Sequence, residues 1–121
     1  MIVLGPFIHA DNGTKYIPAP CRGTVAKVQV VFQTNVVEVG DTVVVAQDSS
    51  AVNTVTAATT AGLVVETGVP DSINKGLVFD PDSDTATEQV MKITDTGAPG
   101  EKYITIWFDD SAYVQETPKE A

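Results

Sequence analysis

The chain has 121 residues, 43% of them hydrophobic, with sixteen acidic against seven basic side chains and a net charge of −9. Such a length suits one domain able to bury a real core, and a hydrophobic share close to the globular average does not indicate disorder. The acidity argues against nucleic acid or an anionic membrane as partner, because both would repel it.

In chain order, Met1 to Ile8 is apolar, but it has no basic leader region and is too short to span a bilayer. Pro6 and the turn-like Asp11-Asn12-Gly13 interrupt it, so residues 1–15 read as an extended N-terminal arm. From Tyr16 onward the dominant period is two. Thr24–Phe32 (TVAKVQVVF) sets Val25, Val28, Val30 and Phe32 among polar neighbours. Thr42–Ala46, Asn53–Ala57, Leu63–Thr67, Leu77–Phe79, Gln89–Thr94 and Lys102–Phe108 are further runs rich in valine, threonine, isoleucine and aromatics. Turn residues separate them: Gly23, Gly40-Asp41, Gln47 to Ser50, Gly68, Lys75-Gly76, Pro81-Asp82 and Gly97 to Gly100. The pattern predicts an all-β fold over residues 16–114, an antiparallel β-sandwich or jelly roll of about seven to eight strands. Ala57 to Ala61 offers at most a turn of helix, and Gln115 to Ala121 is a polar tail.

Chemistry-bearing residues are sparse. Cys21 is the only cysteine, which excludes an intrachain disulfide, and beside Arg22 it has no base to activate it; it reads as a small buried residue. His9 is the only histidine and lacks the partners of a triad, so it reads as a surface or interface residue. The alternating Asp80, Asp82 and Asp84 provide the oxygen ligands that calcium prefers, but Thr85 and Met91 stand where an EF-hand loop needs glycine and glutamate. An acidic, solvated turn is the reading, with no metal expected. Asp109 and Asp110 are adjacent on a strand end, so they point to opposite faces and do not converge on one bond. The chain is expected to be no enzyme and to hold no cofactor.

Two resemblances carry the functional expectation. Residues 18–46, "PAPCRGTVAKVQVVFQTNVVEVGDTVVVA", resemble the opening of biotinyl and lipoyl carrier domains. Those domains acylate a lysine in the hairpin after the second valine run. Here that turn is Gln47-Asp48-Ser49-Ser50-Ala51-Val52, and no lysine occurs between Lys27 and Lys75. The amide cannot form, so the carrier reading is rejected.

The longer stretch from Tyr16 to Val114 is similar in texture to small head decoration (cement) proteins of tailed bacteriophages. The likeness lies in "YIPAPCRGTVAKVQVVF", "VVEVGDTVVVA", "NTVTAATTAG", "NKGLVFDPDSDT" and "YITIWFDDSAYV". It implies a non-enzymatic structural protein on the outer capsid surface of the virion, made in the host cytoplasm. It further implies a homotrimer that bridges subunits of the major capsid protein. Linked copies would multiply weak contacts into avidity. The apolar Ile2, Val3, Leu4, Phe7 and Ile8 are expected either to bury in a partner or to pack on the protein's own sandwich, gaining about 1.5–3 kcal/mol per large side chain. Lys15, Arg22 and Lys27 would turn a less acidic end toward the capsid. The competing expectation is a carbohydrate-binding or adhesin-like β-sandwich. Its platform would be Tyr103 and Trp107, four apart on one strand and hence on one face, with Ile104 and Ile106 on the other.

Overall fold

Alternation of branched apolar residues with threonine and charged residues makes strands, and a strand with one apolar face must bury it against another. The computed structural model describes residues 1–9, 13–32, 41–57, 63–96 and 101–111, and over these the chain forms two antiparallel sheets. The strands are β1 (Ile2–His9), β2 (Gly13–Pro18), β3 (Thr24–Phe32), β4 (Thr42–Gln47), β5 (Ser50–Thr56), β6 (Val64–Thr67), β7 (Val69–Pro70), β8 (Val90–Thr96) and β9 (Lys102–Asp109), with a short helix α1 (Ala86–Gln89) before β8. One sheet has the order β1-β9-β3-β6 and the other β2-β8-β4-β5-β7. This is the all-β sandwich that the alternation predicts.

The core lies between the sheets. Val28, Val30 and Phe32 of β3 and Ile104, Ile106 and Phe108 of β9 meet Val43, Val45, Val52, Val55, Met91 and Ile93 of the other sheet. Phe79 enters from a loop, its ring centroid 6.4 Å from that of Phe108 and tilted by 59°. Backbone bonds hold it there. The Gly23 N–H donates to the Phe79 carbonyl at 3.0 Å, and the Phe79 N–H donates to the Gly23 carbonyl at 2.8 Å.

The N-terminal segment is extended, but it does not stand away from the sandwich. Residues 2–9 pair with β9 and residues 13–18 pair with β8, so the expected arm supplies an edge strand to each sheet. Proline suggested an interruption, yet an edge strand tolerates it because the missing N–H faces away from the ladder. Gly5, at φ 101°, and Pro6 form a bulge: Leu4 pairs with Ile106 and Phe7 with Ile104, so β1 carries one extra residue. The bulge resets the phase, and Ile2, Leu4 and Phe7 all pack against the core.

With β1, β2 and the two-residue β7 there are nine strands among the described residues, against the seven or eight expected. Leu77–Phe79 contributes only the isolated pair of Phe79 with Gly23. The helical turn considered at Ala57 to Ala61, the tail Gln115 to Ala121 and the Gly97 to Gly100 turn fall wholly or largely outside the described residues.

Candidate interaction surface

The outer face of the four-stranded sheet is built by register. Tyr103 of β9 pairs with Ile8 of β1 and Val31 of β3, and Val31 pairs with Val65 of β6. Residues directly paired share a face. Ile8, Tyr103, Val31 and Val65 therefore form an apolar row across all four strands. The next row holds Thr105, Gln29 and Thr67, and a third holds Val3, Trp107 and Lys27. Val3, Ile8 and Val65 are each more than half exposed, at 55%, 52% and 51%. The inward neighbours Ile104, Ile106 and Phe108 are fully buried, so β9 is apolar on both faces.

Charge is thin on this surface. The Lys27 ammonium sits 4.5 Å from the centroid of the Trp107 ring, a cation–π contact that covers the indole. The Tyr103 hydroxyl donates to Glu101 Oε1 at 3.2 Å, and the negative charge of Glu101, with that hydrogen bond, raises the phenol above its ordinary pKa. At the far end Asp109 Oδ1 accepts from the Ser111 hydroxyl at 2.7 Å and from its N–H at 3.0 Å, which lowers the Asp109 pKa.

The five-stranded sheet presents a different exterior. Thr14 pairs with Thr94, Thr94 with Val44 and Val44 with Thr54, while Thr42 pairs with both Thr96 and Thr56. That face carries many hydroxyls, but Tyr16 and Val69, 60% and 71% exposed, also stand on it, whereas the four-stranded sheet shows valine, isoleucine and aromatic side chains. Solvated faces of antiparallel sheets are normally polar, and contiguous apolar exposure marks an interaction site. What marks the four-stranded sheet is an apolar row that crosses every one of its strands.

Only part of the predicted site gathers there. Val3, Ile8 and Lys27 lie on the apolar face, while Ile2, Leu4 and Phe7 turn inward onto the protein's own core. Packing on the protein's own sandwich accounts for Ile2, Leu4 and Phe7, while Val3 and Ile8 stay exposed. The three basic residues do not form one cluster. Lys15 lies in the other sheet and its ammonium donates to the Ile8 carbonyl at 2.8 Å, tying β2 to the end of β1. Ile8 is level with Val31, whereas Arg22 precedes the opposite end of β3, on the order of 20 Å away along the strand.

Elsewhere, Cys21 is partly rather than fully buried, and desolvation, followed by the charge of Asp110, raises its thiol pKa. Asp80 Oδ1 accepts the Asp82 N–H at 2.9 Å, closing the local turn. Among the described residues no group of three or more His, Cys, Asp or Glu side chains is placed to hold a metal ion, and Asp80, Asp82 and Asp84 are not brought together as one. His9 ends β1, and its side chain lies outside the described residues.

Sequence reading missed two features. Val31 and Val65 are the outward members of the doublets Val30-Val31 and Val64-Val65. Neighbours on a strand face opposite ways, so a doublet already announces two apolar faces. It also missed the fully buried pair of Lys102 and Asp95, 2.9 Å apart. Both stand at inward-phase positions of their strands, two before Ile104 and two after Ile93. No family model, curated protein or solved structure matches this chain. Fold and surface define it as an acidic all-β sandwich with one apolar outer sheet face.

Proposed function

We propose that the protein is a non-enzymatic structural module that decorates the outside of a phage capsid, binding major capsid subunits and its own copies through the outer face of the four-stranded sheet. The observation that carries this reading is the row Ile8, Tyr103, Val31 and Val65, apolar across every strand of one sheet. Burying such a row is favourable at about 25 cal/mol per Å² of apolar surface. The resemblance to head decoration proteins supplies the partner and the trimer. An acidic exterior on the remaining surface would keep particles dispersed.

The carbohydrate reading has less support. A sugar platform needs an open aromatic face, and the Trp107 ring is covered by Lys27 at 4.5 Å.

The test is light scattering on the eluting protein, with the double variant Val31→Asp/Val65→Asp alongside. Each copy weighs 12.7 kDa, so a trimer would read about 38 kDa. The wild type is expected at the trimer mass and the variant at the monomer mass, with matching β-sheet circular dichroism. The wild type should also sediment with tailed-phage capsids stripped of their own decoration protein. A wild type that stays monomeric and fails to sediment with such capsids overturns the proposal.

A further inference from the structure

Lys102 opens β9 in one sheet and Asp95 lies in β8 of the other, so their contact crosses the sandwich. The Lys102 Nζ is 2.9 Å from Asp95 Oδ2, and both side chains are fully buried, at 0% exposure. A third ionisable group lies on the inner face of the same sheet as Asp95. Asp41, 4% exposed, immediately precedes β4 and faces the same way as Val43, two residues on, which pairs with Asp95. Strand alternation therefore places Asp41 and Asp95 diagonally on the inner face of one sheet.

A lysine and two carboxyl groups in an apolar core are expensive as ions, because burial removes the water that stabilises their charges. A covalent alternative lies within reach of these atoms. We propose that Lys102 and Asp95 become joined by an intramolecular amide bond after folding, with Asp41 relaying the proton. Transfer of one proton from the ammonium to the Asp95 carboxylate leaves an amine and a carboxylic acid. The amine lone pair attacks Asp95 Cγ, and Asp41 takes a proton from the nitrogen. The tetrahedral intermediate collapses as Asp41 returns that proton to the departing hydroxyl. One C–N bond forms, one C–O bond breaks and one water leaves, with no change of oxidation state.

In water this condensation runs uphill. Here the fold holds the groups in contact, and fixed proximity replaces a bimolecular encounter. The dry core also removes the water that would drive the reverse step. The product is a covalent staple between the two sheets, and it is independent of what the outer face binds.

Intact mass of the purified full chain is the test. The wild type is expected one water below its sequence mass. Trypsin should fail to cut after Lys102, leaving a fragment from Ile93 to Lys119 that is itself one water light. In Asp95→Asn the same attack expels ammonia, so the deficit changes to one ammonia. Lys102→Arg and Asp41→Asn, folded by circular dichroism, should show the full sequence mass. A wild-type chain at full mass and cleaved after Lys102 overturns the bond. A deficit that persists in Lys102→Arg places the dehydration elsewhere and overturns it equally. A deficit retained in Asp41→Asn removes Asp41 from the reaction.

Discussion

Phe79 reaches the core from a loop, fixed by packing, by two backbone bonds to Gly23, and by bonds to its neighbours, Gln47 Nε2 to the Val78 carbonyl and the Asp80 N–H to the Glu88 carbonyl. Its ring is fully buried against Phe108. Replacing it with alanine removes the whole ring and leaves a cavity in the core. Phe79→Ala should cost about 3–5 kcal/mol, read as a fall in the urea midpoint with an unchanged slope. Cys21 tests electrostatics instead. Burial first, then the negative charge of Asp110, disfavours its thiolate, so at any neutral pH less of the reactive form is present than in a free thiol. Alkylation at pH 8 should be slower than for glutathione and should quicken in Asp110→Asn. Equal rates in the two proteins would mean that Asp110 does not act on the thiol.

At the scale of elements, proline placement explains both what was legible and what was not. Runs rich in valine, isoleucine, threonine and aromatic residues announce β3, β4, β5, β6, β8 and β9, since each has at least one face to bury. The edge strands do not announce themselves, because edges are where alternation can be broken. Pro6 in β1, Pro18 in β2 and Pro70 in β7 stand on three of the four sheet edges. A proline there withholds an N–H from any incoming strand and blunts edge-to-edge aggregation. Read along the sequence, the same prolines look like breaks, and Pro6 with the Asp11-Asn12-Gly13 turn made residues 1–15 look like an arm. The candidate surface was half legible for a related reason. Val3, Ile8 and Lys27 were visible as unusual residues, but Val31 and Val65 join them only through strand order, which a single sequence does not encode. Gly23 marks where these elements converge. A Cβ built on it would collide with the Asp109 carbonyl oxygen and come within 2.6 Å of Phe108 Cε2. Gly23→Ala must therefore push β3 from β9, at a cost of about 1–3 kcal/mol. A thermal melt of that variant, lowered by several degrees, would register the shift.

The whole molecule sets an apolar face against a net charge of −9. The proposed assembly of three copies would gain apolar burial but bring three acidic bodies together, and the two effects respond oppositely to salt. Hydrophobic contact is not weakened by screening, whereas like-charge repulsion is. Raising ionic strength from about 0.01 M to about 0.15 M shortens the Debye length from about 30 Å to about 8 Å. If association rests on the row Ile8, Tyr103, Val31 and Val65, the trimer fraction at fixed protein concentration should rise with salt. If it rested instead on Lys27 meeting carboxylates of a neighbouring copy, added salt would weaken it. The cation–π contact with Trp107 already engages Lys27 within its own chain, which favours the first outcome. Sedimentation velocity across a salt series distinguishes them by the sign of one slope. A Lys27→Met variant sharpens the answer, because it should leave a hydrophobic association intact and abolish an ionic one.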